Sequence, residues 1–196
     1  LVQGFSFKKR KGSLSLDAYH TRFSQQLVAD RDTLSGMVVF KNLSANSVAT
    51  VVQAEFAYAV LPGLDLRLAY KFQDVRALYN GKLQTQVLLP RQRLFANIGY
   101  QTRNKRWAHD LTYSRYSAVR LPQGGQGQAW GLLNAQVTRN WKQLELYVGG
   151  ENLLNVMQHH PIVAAQNPFG PDFDATEIWA PIMGWNMYIG LRYTIK

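Results

Sequence analysis

The sequence has no cysteine, which excludes disulfides, thiolate metal sites and cysteine nucleophiles together. It also has no run of about 18 apolar residues, so it carries no transmembrane helix, in line with a mean hydropathy of -0.23. Charge is sparse, at 17% of 196 residues, and carboxylates are sparser than cations: 12 Asp+Glu against 22 Lys+Arg leave a formal net charge of +10. There is no Walker loop, no dinucleotide-binding glycine fingerprint and no zinc-helix motif. No signal-peptide pattern opens the chain. Leu1-Val2-Gln3-Gly4-Phe5-Ser6-Phe7 reads instead as the end of a strand cut from its beginning, which implies an N-terminally truncated chain.

What is present describes a folded protein, since 46% hydrophobic and 12% aromatic residues are far from the composition of a disordered chain. Low hydropathy does not make it soluble, because a membrane β-barrel hides its apolar residues at alternate positions. The excess of cations could serve nucleic acid, an anionic membrane surface or an acidic ligand, but the charges are dispersed. The one dense run, Lys8-Lys9-Arg10-Lys11, reads as a solvated turn, and no nucleic-acid partner is expected.

Period-two alternation is the dominant pattern. From Met183, the residues Met183, Trp185, Met187, Ile189, Leu191, Tyr193 and Ile195 alternate with Gly184, Asn186, Tyr188, Gly190, Arg192, Thr194 and Lys196. Successive strand side chains point to opposite faces, so one face is wholly apolar and the other mostly polar or small. The same grammar runs through Leu144, Leu146 and Val148; Leu133, Ala135 and Val137; Leu94, Ala96, Ile98 and Tyr100; Leu66, Leu68, Tyr70 and Phe72; and Val52, Ala54, Phe56 and Tyr58. Trp107, Leu111 and Tyr113 continue it, although His109 and Arg115 interrupt their apolar side, and residues 14–27 alternate only weakly. Eight strands follow, over about 13–28, 47–60, 64–77, 93–103, 106–119, 130–141, 143–157 and 183–196.

Short and long connections also alternate. Pro62-Gly63, residues 103–105 and residues 141–143 are tight turns, whereas 29–46, 78–92, 120–129 and 158–182 are long and rich in Gly, Pro, Asn and Asp. The expected fold is all-β, an antiparallel up-and-down transmembrane β-barrel segment with short turns in the periplasm and long loops outside. Tyr100, Trp107, Trp141 and Tyr193 share the apolar parity at the periplasmic strand ends, and Trp185 does so at the outer rim with Phe72 and Tyr113. Such rings form a membrane girdle, burying an apolar body while the polar edge reaches headgroups. A small self-closing eight-stranded structural or adhesin barrel and a soluble β-sandwich binding module also fit the alternation.

The residues themselves carry a resemblance. Gly149-Gly150-Glu151-Asn152-Leu153-Leu154-Asn155, residues 167–175 (Asn167-Pro168-Phe169-Gly170-Pro171-Asp172-Phe173-Asp174-Ala175), Trp179-Ala180-Pro181 and Gly190-Leu191-Arg192-Tyr193 resemble the C-terminal end of TonB-dependent outer-membrane receptors of the Bacteroidetes type. Residues 63–72 and 89–93 look like earlier strands and a loop of the same barrels. The resemblance implies that residues 1–196 are the C-terminal portion of a barrel of about 22 strands, in the outer membrane of a Gram-negative cell. It further implies an N-terminal plug and earlier barrel strands that this chain lacks, coupling to TonB through that plug, and import of a scarce ligand: an iron-siderophore, cobalamin, a metal or a glycan. The ending Tyr193-Thr194-Ile195-Lys196 departs from the usual terminal aromatic, for which Tyr193 is the plausible substitute.

Polar residues of inward parity, Arg67, Lys71, Asn97, Gln101, Asp110, Asn134, Gln136, Glu145, Glu151 and Arg192, are expected to line the lumen, chiefly by satisfying one another. In the loop 158–182, His159, His160, Phe169, Phe173 and Trp179 are the candidates for ligand contact. His159 and His160 with Asp172, Asp174 and Glu177 are metal-ligand types, but adjacent loop histidines have no defined geometry and the carboxylates lie more than ten residues away; no metal or cofactor is expected. No enzyme is expected either. His109 and Ser114 have opposite parity, and His20 with Ser24 has no third orienting group.

Overall fold

Alternating β-branched, aromatic and leucine residues build strands wherever they run unbroken. The computed structural model describes residues 2–9, 11–31, 37–43, 47–79 and 82–195. In chain order these form β1 (Val2–Lys9), β2 (Gly12–Phe23), β3 (Gln26–Asp30), β4 (Val39–Leu43), β5 (Ser47–Leu61), β6 (Leu64–Tyr79), β7 (Lys82–Thr85), β8 (Gln92–Gln101), β9 (Trp107–Tyr116), β10 (Val119–Arg120), β11 (Gln126–Gly127), β12 (Trp130–Asn140), β13 (Leu144–Glu151) and β14 (Asn186–Tyr193). One antiparallel sheet runs β1-β2-β5-β6-β8-β9-β12-β13-β14, a meander in sequence order, with β7 added beside β6. Two hairpins stand apart in the long connections, β3–β4 and β10–β11.

The sheet is a single layer whose two edges are β1 and β14, an open wall and not the stacked pair of sheets that a soluble sandwich requires. The strand remnant at the start pairs with β2 along its whole length, from Val2 opposite Tyr19 to Lys9 opposite Gly12, and makes a ninth strand of the meander. Arg10, at the centre of the basic turn, lies outside the described residues, as does Lys196. Several strand bounds also differ from expectation. The stretch 13–28 breaks at a bend at Ser24 and Gln25 into β2 and the separate β3; β13 stops at Glu151; and β14 starts only at Asn186.

Register carries the two faces across the whole wall. Phe7, Leu14, Phe56, Leu68, Ala96, Tyr113 and Leu133 are successive cross-strand partners, and so are Leu64, Tyr100, His109, Val137, Val148 and Ile189. This apolar face is exposed: Ile189 is 74% accessible and Leu191 63%. Among the described residues only Val28, Leu43, Ala77, Val119 and Ala180 are buried apolar side chains, and all lie at the long-loop end, where the hairpins and loops pack on the sheet. A chain that is 46% hydrophobic and leaves this face so exposed must have it covered by something outside the chain.

The short connections β1–β2, β5–β6, β8–β9 and β12–β13 of the meander fall at one end of the wall. The β5–β6 turn shows why its residues are needed. Gly63 has φ +87°, a left-handed conformation that favours glycine, its carbonyl accepts the Gln101 N–H at 2.7 Å, and a side chain there would collide with the Gln101 carbonyl. Gly149 and Gly190 are required for another reason. On the polar face the Tyr188 ring lies over Gly149 and the Tyr147 ring over Gly190, so that each aromatic fills the space its cross-strand glycine leaves.

Candidate functional site

The polar face is hydrogen-bonded within itself. Arg67, Asn97, Thr112 and Asn134 form one cross-strand row, and Asp65, Gly99, Asp110, Gln136, Gly149 and Tyr188 the next. Asn97 Nδ2 donates to Asp110 Oδ2 at 3.0 Å and Thr112 Oγ1 at 2.8 Å, Tyr188 Oη donates to Gln136 Oε1 at 2.9 Å, and Arg192 Nη1 donates to Glu145 Oε1 at 3.1 Å. Lys71, Gln101 and Glu151 share this face, at its margins.

Towards the long-loop end one row differs from the others. Lys71 on β6, Arg93 on β8, Tyr116 on β9 and Trp130 on β12 are consecutive cross-strand partners. The Tyr116 and Trp130 rings stack with centroids 4.1 Å apart, and the Arg93 guanidinium lies 4.8 Å over the Tyr116 ring. Trp130 Nε1 donates to the Trp179 carbonyl at 2.9 Å, which ties the stack to the loop between β13 and β14. Like charges directly opposite in a sheet repel, yet among the described residues neither Lys71 nor Arg93 has a carboxylate at ion-pair distance. Glu55, one pair further down the face, accepts a hydrogen bond from Gln53 instead. Sequence reading named Lys71 but missed Arg93, Tyr116 and Trp130. Carrying the parity of Asn97 and Phe95 back two residues to Arg93 would have placed it beside Lys71.

The long loop, residues 152–185, is fastened at its neck by the Asn-Leu-x-Asn element. Asn152 is buried with φ +51°. Its Nδ2 donates to the Val156 and Met183 carbonyls at 2.8 and 3.1 Å, its Oδ1 accepts the Val156 N–H at 2.9 Å, and its own N–H donates to Asn134 Oδ1 at 2.9 Å. Asn155 Oδ1 accepts the Trp185 N–H at 3.2 Å. Further out, buried Gln158 accepts the N–H groups of Trp179 and Ala180 and donates to the Glu177 carbonyl. Short polar side chains thus do within the loop what ladder bonds do within the sheet.

The loop does not gather the candidate ligand residues. His159 and His160 are exposed, Phe169 is 99% exposed, Phe173 is half-buried, and Trp179 packs over Gly127 and the β10–β11 ribbon. Among the described residues no group of three or more His, Asp or Glu could hold a metal ion. Burial, and then the charge of Asp174, push the Glu177 carboxyl above the usual carboxylate range. A carboxyl whose folded-state pKa is raised favours the closed loop while protonated, and this contribution is lost as pH climbs through the raised value. Glu177→Gln is expected to abolish that loosening, read as amide protection in residues 158–180, relative to the intrinsic exchange rate at each pH, that no longer falls as pH rises.

The aromatic residues expected at the girdle are exposed: Tyr100, Trp107 and Tyr193 pair on the apolar face at the short-turn end, Trp141 follows β12 at that end, and Trp185 precedes β14 at the other. His109 stacks between Tyr100 and Trp107, with centroids 6.1 and 6.4 Å away, and Arg115 sits next to the long-loop end of β9. Both residues that interrupted the alternation therefore stand at a rim, where a polar edge can reach water.

A one-layer antiparallel meander with an exposed apolar face, aromatic rims and turns that alternate short and long is the wall of an outer-membrane type of β-barrel. The family model "TonB dependent receptor-like, beta-barrel" matches residues 3–153, and the chain belongs to that family, whose members reside in the outer membrane of Gram-negative bacteria. The sequence matches no curated protein. Among solved structures, the fold is similar to the copper transporter OprC (TM-score 0.71, 11% identity, 98% of this chain and 30% of that one). It is similar also to the iron transporter FrpB of Neisseria meningitidis (0.67, 11%, 97% and 29%) and to a variant of the ferric enterobactin receptor PfeA of Pseudomonas aeruginosa (0.67, 13%, 98% and 30%). The chain thus spans about three tenths of the length of the structures it matches.

Proposed function

We propose that the chain is the C-terminal portion of the barrel of a TonB-dependent importer, of the Bacteroidetes kind that its C-terminal motif resembles, and that its ligand is an anionic metal chelate. In this reading the polar face lines the lumen, the apolar face and its aromatic rims meet lipid, and the free edges of β1 and β14 pair with further strands of the same receptor. A plug from the rest of the receptor fills the lumen and transmits the pull of TonB.

The observation that carries the ligand class is the juxtaposition of Lys71 and Arg93 beside the stacked Tyr116 and Trp130. Two opposed cations are stabilised by an anion shared between them, and an aromatic wall beside them suits a chelate that itself carries aromatic rings. A cobalamin or a neutral glycan has no comparable use for the pair. Transporters of copper and iron and a ferric enterobactin receptor share the fold, which supports metal-chelate import. The test is titration of the full receptor with a ferric tris-catecholate, followed by quenching of tryptophan fluorescence. Arg93→Gln and Lys71→Gln should each weaken binding about tenfold, the effect of losing one charge-assisted contact. Unchanged affinity in the double variant, or tighter binding of cobalamin than of the ferric complex, would reject this ligand class.

A further inference from the structure

The opposite end of the wall carries a basic site, away from the Lys71–Arg93 row. Between the β8–β9 turn (102–106) and the β12–β13 turn (141–143) lies a cavity of about 730 Å³, lined by four cations, Lys105, Arg106, Arg139 and Lys142, and by no carboxylate. The two turns are held together: Asn140 N–H donates to the Arg106 carbonyl at 2.8 Å and Asn140 Nδ2 to the Lys105 carbonyl at 3.3 Å. The cavity is therefore built into the fold before anything enters it.

Arg139 is the unusual member. By register it belongs to the apolar face, opposite Trp107 on one side and Leu146 on the other. Its guanidinium carbon lies 4.7 Å from the centre of the Trp107 ring and 5.4 Å from that of Trp141. Indoles against the guanidinium favour the cation through their ring faces, while its N–H groups radiate in the plane and remain suited to a phosphate. Above it, the paired residues Leu146–Leu191 and Val148–Ile189 continue the apolar face away from the turns.

We propose that this cavity holds the phosphodiester headgroup of an anionic phospholipid from the leaflet on the short-turn side, with Arg139 as the anchor between its two tryptophans. Lys105, Arg106 and Lys142 supply the remaining charge, and the acyl chains rise along Leu146 and Val148. Four cations around one opening without a carboxylate repel one another, and a phosphate relieves that repulsion. A free phosphate would satisfy the same charges, but it gives no reason for an arginine on the lipid-facing parity clamped by interfacial tryptophans. The inference rests on the barrel reading above.

The test is native mass spectrometry of the full receptor titrated with phosphatidylglycerol and, separately, phosphatidylcholine, alongside heat-modifiable gel mobility as the mark of a folded barrel. The wild type should retain phosphatidylglycerol about tenfold better, as a site of several basic contacts should. Arg139→Gln should remove that preference, and Arg115→Gln, a cation on the same face at the opposite rim, should leave it intact. Should Arg139→Gln fail to fold, the turn variant Lys105→Gln/Lys142→Gln decides the matter by the same measure. Equal retention of the two lipids by a heat-modifiable receptor, or complete displacement of phosphatidylglycerol by millimolar inorganic phosphate, overturns the lipid site and leaves the barrel standing. Absence of heat-modifiable mobility in the wild type overturns both.

Discussion

Ile189→Arg is expected to stop the receptor from assembling in the membrane, whereas Arg192→Leu, three residues away, should scarcely matter. Trp185, just before the final strand, and Tyr193, at its end, are eight residues apart, which is about 27 Å of extended chain. Ile189 is halfway between them and 74% exposed on the apolar face. An arginine on the lipid face costs about 2–4 kcal/mol at the bilayer midplane and falls to about 0–1 near an interface. Leu191→Arg, two residues nearer the rim, should therefore be less damaging than Ile189→Arg. Arg192 is on the other face, in an ion pair with Glu145 whose side chains are 69% and 30% accessible. Such a pair contributes about 0–1 kcal/mol. The measurement is the fraction of each variant that reaches the heat-modifiable form in outer-membrane preparations. Equal damage from Ile189→Arg and Arg192→Leu would mean that the faces are assigned the wrong way round.

The two faces could be read from sequence because an apolar side and a polar side impose the strictest period-two pattern a chain can carry. Leu144 to Val148 and Met187 to Tyr193 show it with almost no exception, and they pair in the register their parity demands. Tight turns were legible for a similar reason, since Pro62-Gly63 allows few other conformations. The β3–β4 hairpin was not. Its buried side, Val28 and Leu43 with the Asp30–Lys41 ion pair at 2.8 Å, packs at Ala77 on a distant strand, and residues 26–30 alone look like a continuation of β2. The candidate site divides along the same line. The polar residues of that parity share one face because parity is local, whereas the Lys71–Arg93–Tyr116–Trp130 row depends on the register of four strands, which no single segment encodes. The aromatic residues of the long loop were grouped because they are close in sequence, but Phe169 is bare at the surface while Trp179 is an anchor for Trp130.

Asn152→Ala carries the other large expected effect, and it separates the loop from the wall. The asparagine amide satisfies three backbone groups, the N–H and carbonyl of Val156 and the carbonyl of Met183, at a place that is buried. Truncation leaves them without partners, and a buried backbone group so stranded costs about 1–3 kcal/mol. Water entering the opened neck will recover part of that, so a net loss of about 3 kcal/mol is expected. The positive φ of 51° adds a smaller penalty for alanine that glycine does not incur. Asn152→Gly should therefore be only slightly milder than Asn152→Ala if the amide is the cause, and close to wild type if backbone conformation is. The loss should appear as protease cleavage within residues 156–183 and fast amide exchange there, with heat-modifiable mobility retained, because the ladder of β13 and β14 runs from Leu144 opposite Tyr193 to Glu151 opposite Asn186 without any contribution from this side chain. A variant that keeps the loop protected but fails to form the barrel would reverse the assignment, making Asn152 a determinant of strand pairing and not of the loop it closes.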